Sequence, residues 1–197
     1  MREFILLARK AHTAPFKLND LPGAGRMDLV ARCITAAIFI SEALRKDVKF
    51  YAVLEGPPNP PRLITLETSK LRRVYPDERN IASHIRIALE KGLKLRYGQE
   101  IESEPGIRIA KRSFEDLVKE KAKEVQTVYM YKNGIPIEEF KFEKNVCFII
   151  GDHKGLSKKR EIFLENQGIP KVSLGKVTYL ASQVIAILHY ELDKRGI

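Results

Sequence analysis

The chain has 197 residues, 44% of them hydrophobic and 30% charged, an ordinary balance for one soluble globular domain. No apolar run reaches the roughly eighteen residues that a membrane span needs, and MREFILLARK turns polar too soon for a signal peptide, so a cytoplasmic location and no membrane partner are expected. Thirty-five Lys+Arg against 25 Asp+Glu leave a formal +10 and a pI near 9.6. That field attracts polyanions, nucleic acid above all, although a generally lysine-rich composition gives the same balance.

Glu3 to Ala8 reads as a short apolar strand. Arg26 to Arg45 carries Leu29, Val30, Cys33, Ile34, Ala37, Ile38 and Leu44 on one stripe, which predicts an amphipathic helix. Lys49 to Leu54 is a buried-looking strand, ended by GPPNPP, and Arg62 to Leu66 is another. Asp77 to Lys91 is a helix closed by Gly92. A polar connection holding Pro105 and Gly106 follows, and Ser113 with Asp116 opens a helix in capping-box fashion.

Then come a strand from Val125 to Tyr131, a turn at KNG (Lys132 to Gly134), and a strand from Val146 to Ile150. A glycine loop leads into a helix from about Lys158 to Asn166, stopped by Gly168 and Pro170. Strand Lys171 to Leu174 and a long helix from Thr178 to Lys194 finish the chain. Strands alternating with helices predict an α/β domain with a mostly parallel sheet flanked by helices. Cys33 and Cys147 fall in buried patterns and read as packing groups rather than a disulfide. The four histidines show no ligand spacing, so no metal is expected.

Residues 147 to 156, CFIIGDHKGL, place a strand against a loop bounded by Gly151 and Gly155. Strand, glycine loop and charged helix are how a backbone approaches a ligand closely. The spacing matches neither the dinucleotide fingerprint nor the P-loop. A second strand-to-glycine junction, VSLGKVTYLASQ, follows within thirty residues. Neighbouring parallel strands deliver such loops to one sheet edge, where α/β folds bind ligands.

These residues carry a resemblance. FIIGDHxGL, then SLGxxxYLASx, then a long apolar helix is similar to the C-terminal half of SPOUT-class RNA methyltransferases. That resemblance implies a C-terminal trefoil knot whose three loops hold S-adenosyl-L-methionine. The loops fall on Met130 and its neighbours, on Gly151 to Gly155, and on Leu174, Gly175 and Lys176 with Val177, Thr178, Tyr179 and Leu180. LNDLPGAGRMDLVARCI resembles the archaeal tRNA pseudouridine-54 N1-methyltransferase family, and the likeness then spans almost the whole chain. Related ribosomal-RNA enzymes carry an R-P-D motif whose Arg contacts the target base and whose Asp holds that Arg. The matching positions are Arg26 and Asp28, with Met27 standing where those relatives have proline.

N1 methylation replaces an imide-like proton, and negative charge spreads to the ring carbonyls as the proton leaves. A planar Arg held by a carboxylate suits that charge. Arg26 is therefore expected to position the base and support the charge, and Asp28 to orient it. Taken as residues alone, Asp28 also reads as a first-turn acid favoured by the helix dipole, with Arg32 as its ion-pair partner four residues on.

Asp152 and His153 read as residues that shape their loop, Met130 as a backbone contact, and Tyr179 as either a cofactor cover or the start of a core face. Lys17, Arg72, Arg73, Arg108, Lys111 and Arg112 are the candidates for RNA phosphates, with Phe16 and Leu21 near enough to support a flipped base. By the same resemblance the protein is expected to be a homodimer acting on tRNA. A catalytically silent RNA binder, a methyltransferase for pseudouridine in another RNA such as ribosomal RNA, and a nucleotide-binding regulator are the competing readings.

Overall fold

The computed structural model describes residues 1–41 and 43–197. β1 (Arg2–Ala8) is buried along its whole length. Helices cover both of its faces, which is why REFILLA is nearly continuous in apolar residues rather than alternating. After a long loop comes α1 (Met27–Ile38). The helix expected to reach Arg45 stops at Ile38: Phe39 is extended, and β2 (Phe39–Ile40) turns back onto β3 (Ala43–Leu44). The reversal pairs Phe39 with Leu44, and both pack on the core.

β4 (Val48–Leu54) lies parallel to β1, and β5 (Arg62–Glu67) returns antiparallel to β4. In α2 (Glu78–Lys91) the Asp77 side chain accepts from the Asn80 N–H at 2.8 Å, and Gly92 donates to Ala88 at the other end. The connection around Pro105 and Gly106 is itself a hairpin, β6 (Glu100–Glu104) and β7 (Ile107–Ala110). β6 closes one edge of the sheet, so EIESE has a single apolar residue and little hydrophobic signal. In α3 (Phe114–Glu124) Ser113 Oγ accepts from the Asp116 N–H, but the Asp116 carboxylate turns to the Tyr97 hydroxyl, leaving half of the expected capping box.

β8 (Gln126–Pro136) runs on through KNG, where a turn is expected. Its pairing with β10 (Lys171–Ser173) jumps from Tyr129 to Ile135, so Met130 to Gly134 bow outward between two paired ends. A Cβ on Gly134 would lie 2.6 Å from the Lys171 carbonyl carbon, so this glycine lets two backbones touch. β9 (Val146–Gly151) enters between β1 and β8, and α4 (Lys158–Asn166) then carries the chain beyond β8 to β10. α5 (Ala181–Lys194) starts three residues later than expected, because Leu180 stays extended with its N–H on Gln183 Oε1.

The eight strands run in the order β10-β8-β9-β1-β4-β5-β7-β6, the first five parallel and the rest antiparallel. Phe4, Leu6, Phe50 and Phe148 point to the face covered by α1, α2 and α5; Ile5, Leu7, Val53 and Ile149 point to α3 and α4. Cys33 and Cys147 are free and buried on opposite faces. Among the described residues no helix is long and apolar enough to cross a membrane. The C-terminal ends of the five parallel strands share one edge, which receives Arg9, Glu55, Met130, Asp152 and Leu174.

Candidate active site

The segment between β1 and α1 folds back as a closed turn. Arg26 N–H donates to Pro22 O and Met27 N–H to Leu21 O, both at 3.0 Å. The second bond is one that proline could not make, so Met27 contributes a strut absent from an R-P-D motif. Arg26 sits at φ 67°, ψ 42°, a conformation uncommon for a side-chain-bearing residue and one that needs a surrounding structure to hold it. Gly25 before it is also left-handed, and a Cβ there would lie 1.8 Å from the Lys10 carbonyl oxygen. The loop leaving β1 and the loop entering α1 are thus pressed together.

Arg26 grips Asp28 side-on, Nε to Oδ1 at 3.0 Å and Nη2 to Oδ2 at 3.1 Å. Arg32 Nη2 reaches the same Oδ2 at 2.6 Å, and Arg32 Nη1 extends to Glu78 on α2 at 3.2 Å. Asp28 therefore serves both expected roles, orienting Arg26 and pairing with Arg32 on its own helix. Burial alone would push its carboxyl up; the hydrogen bonds and charges of the two arginines outweigh that and hold it below the ordinary carboxylate range. The Asp28 bond likewise holds the Arg26 guanidinium up. With Nε and Nη2 committed, Nη1 of Arg26 is the nitrogen left for another partner.

The Arg26 side chain is 42% exposed and lines a cleft of about 570 Å³ at the ends of β1, β4 and β9, together with Arg9, Lys10, His12, Glu55 and His153. Sequence reasoning missed Glu55. It accepts twice from Arg160, which also holds Glu115, so α3 and α4 are tied to the cleft wall. Asp152 shapes its loop, as expected: it accepts from the N–H groups of Arg9 (2.9 Å) and Lys154 (2.8 Å), fastening the β9 loop to the β1 exit. His153 next to it belongs to the cleft lining. Phe16 and Leu21 are each 8% exposed and belong to the core, so neither is free to support a base.

Beside this cleft the three glycine-bearing segments come together. Register sets Tyr131 abreast of Gly151, since Tyr129 pairs with Ile149. Ser173 Oγ donates to Lys132 O at 2.8 Å and accepts from Gly175 N–H at 3.0 Å, bracing the β8 bow against the loop after β10. Nothing singled Ser173 out in sequence beyond its place in SLG. Met130 and Leu174 are both half-buried against the same core.

Gly175, Lys176, Val177, Thr178, Tyr179 and Leu180 are all exposed. Among the described residues the main chain from Lys176 to Tyr179 hydrogen-bonds to no other backbone group. Free N–H and C=O groups next to exposed Val177 and Tyr179 fit a planar heteroaromatic base with polar edges, such as the adenine of S-adenosylmethionine.

The basic candidates divide. Lys17 is exposed on the loop that leads to Arg26. Lys111 follows β7 at the cleft edge, with its Nζ on Asn59. Arg112 is tied to Glu120 and the Asp116 carbonyl, and Arg108 faces Glu100 in mid-strand. Arg72 and Arg73 lie past β5, level with the start of β4 and hence about 20 Å from the cleft edge.

A mostly parallel sheet that brings three clasped loops beside an oriented arginine is an α/β arrangement built to hold a ligand at its strand ends. The family model described as SAM-dependent RNA methyltransferase matches residues 1–197, and the chain belongs to that family. Among its curated relatives, the tRNA (pseudouridine(54)-N(1))-methyltransferase of Thermococcus gammatolerans is 46% identical over 198 residues, covering 98% of this chain and 97% of the relative. The enzyme of the same name from Methanocella arvoryzae is 42% identical, covering 99% and 100%. The crystal structure of Archaeoglobus fulgidus Nep1 bound to S-adenosylhomocysteine has the same fold, with a TM-score of 0.63 at 15% identity over 100% and 99% of the two chains.

Proposed function

We propose that this chain methylates N1 of pseudouridine at position 54 of tRNA, using S-adenosyl-L-methionine. The observation that carries this reading is the Arg26–Asp28 clamp, which leaves one guanidinium nitrogen facing a cleft beside the three loops. The full-length likeness to enzymes of that name supports the substrate. Bound S-adenosylmethionine supplies an electrophilic methyl sulfonium; Met130, Gly151 to Gly155 and Leu174 to Leu180 are the residues that would hold it.

The chain's own part is alignment and charge. Arg26 Nη1 donates to a ring carbonyl of the target base and supports the negative charge that grows as the N1 proton passes to solvent water. Asp28, locked by Arg32, keeps the guanidinium plane fixed so that little reorganisation is needed at the moment of transfer. Met27 N–H and the left-handed Arg26 backbone hold the loop that presents this group.

The rest of the reading follows. Residues 1–197 form one domain with a C-terminal trefoil knot. Insertion of β9 between β1 and β8, followed by β10 outside β8 and the return of α5 onto α1, supports that threading. Val177, Leu180, Tyr190 and Ile135 leave exposed apolar surface around this segment, which supports a homodimer joined there. A cytoplasmic location goes with the tRNA substrate.

The test is methyl transfer from labelled S-adenosylmethionine to two T-arm hairpins, one with pseudouridine and one with uridine at position 54. Label confined to the pseudouridine hairpin, and lost in Arg26→Ala, is the expected result. Equal label on both hairpins would overturn the proposed atom and base; no label on either would overturn the proposed substrate.

A further inference from the structure

Arg62 opens β5 and is 1% exposed, the bulkiest fully buried side chain among the described residues. Its Nη2 donates to Leu93 O at 3.2 Å, just past the end of α2. Nε and Nη1 have no partner, and among the described residues no carboxylate lies within ion-pairing distance of it. The carbonyl end of α2 contributes a partial negative charge but satisfies only one of five donors. Buried charges are ordinarily paired.

The neighbour that ought to compensate makes matters worse. Leu63 pairs with Ala110 in the antiparallel β5–β7 ladder, so the register places Lys111 directly across from Arg62 with both side chains on the same face. Like charges opposite one another destabilise a sheet. Lys111 has no acidic partner either among the described residues; its Nζ rests on Asn59 Oδ1. Burial, and then the Arg62 charge, hold its ammonium below the ordinary range.

Asn59 is exposed, and its backbone N–H is pinned to Thr13 Oγ1 at 2.8 Å. With Oδ1 taken by Lys111, its side-chain NH₂ is left to donate outward. Pro57, two residues earlier, lines the Arg26 cleft. Two residues span at most about 7 Å, the reach from a base to a phosphate of its own or the next nucleotide.

We propose that Lys111 and Asn59, over the buried Arg62, form a binding site for a backbone phosphate of the RNA substrate, on the rim of the Arg26 cleft. Lys111 Nζ and the Asn59 amide donate directly to the phosphate. Arg62 lies beneath them in a low-dielectric position, where solvent does not screen its charge. The site rests on the reading of the chain as an RNA methyltransferase and fixes where the strand enters.

Binding of the pseudouridine T-arm hairpin is measured for the wild-type protein, Lys111→Gln and a distant surface control, Lys144→Gln, across a salt series. Methyl transfer is recorded for the wild type in parallel. Lys111→Gln is expected to bind more weakly at low salt, with a log affinity against log salt slope shallower by about one, while Lys144→Gln keeps the wild-type slope. Lys111→Glu is expected to melt at a higher temperature than wild type, because it gives Arg62 the carboxylate it lacks, and to bind RNA least of all.

An unchanged slope in Lys111→Gln, or a melting temperature for Lys111→Glu at or below wild type, overturns the site. Methyl transfer by the wild type with an unchanged Lys111→Gln slope removes the site and keeps the reaction. A shallower slope without methyl transfer keeps the site and removes the reaction.

Discussion

Replacing Asp28 with Asn keeps the shape and removes the charge that three hydrogen bonds converge on. Those bonds are Arg26 Nε at 3.0 Å, Arg26 Nη2 at 3.1 Å and Arg32 Nη2 at 2.6 Å. A charge-assisted hydrogen bond contributes about 1.5–3 kcal/mol and a neutral one about 0.5–1.5 kcal/mol. Asn offers one acceptor oxygen and turns an NH₂ toward a guanidinium, so at least one of the three bonds is lost outright. The carboxylate is nearly buried, and removing it recovers its desolvation cost. The net stability loss is therefore about 1–2 kcal/mol.

Catalysis should fall further than stability. Losing one fixed oxyanion donor costs on the order of 10²–10³ in rate, and a loosened Arg26 should forfeit about one to two decades of that. The assay is single-turnover methyl transfer at saturating pseudouridine hairpin, well below the melting temperature, with hairpin affinity measured separately. A variant that melts lower but transfers at the wild-type rate would show that Asp28 only caps the first turn of α1.

Three further outcomes are expected. His189, 3% exposed, donates to Ala37 O and accepts from Arg2, and burial followed by the Arg45 charge pushes it down to about 4 from 6.5. Its folded pKa is depressed, so the unfolded chain takes up the proton first; about 3 kcal/mol of stability present above pH 6.5 should drain away as pH falls toward 4. Urea melts between pH 7.5 and 4.5 follow this, and a flat profile contradicts it. Gly134→Ala drives a Cβ into the Lys171–Val172 backbone and should cost about 1–3 kcal/mol while weakening S-adenosylhomocysteine binding; calorimetry showing wild-type affinity would separate the β8 bow from the cofactor loops. Leu180→Asp puts a charge on a 62% exposed apolar residue, and sedimentation should show dimers giving way to monomers; an intact dimer would move the interface elsewhere.

Much of the parallel half was legible because covered strands are continuous apolar words: β1, β4 and β9 match their expected ranges to within a residue. α4 matches its expected range, since Gly168 and Pro170 stop it. The half-exposed pieces were not legible. β6 has one apolar residue, and β3 is two residues long and exists only because Leu44 finds Phe39. KNG looks like a turn by composition, yet tertiary contact with β10 keeps it in a strand.

In the candidate site, Arg26, Asp28 and the loops around Gly151 and Gly175 are proposals that resemblance supplies. Glu55, Ser173 and Arg62 could not be found in this way, because their significance lies in partners 105, 41 and 31 residues distant. Arg62 in particular reads as an ordinary strand-start cation until its burial is known.

The two cysteines lie on opposite sides of the sheet, Cys33 on α1 in the layer shared with α5 and Cys147 on β9 in the layer covered by α3 and α4. Burial pushes the Cys33 thiol up to about 12 and holds Cys147 well above its ordinary value, so neither reacts while its layer is shut. Each is thus a native reporter of one side's opening. Thiol trapping under mild denaturant would time the two layers separately, without a label or a mutation. It would reveal whether the layer bearing the last helix can lift away while the other stays closed.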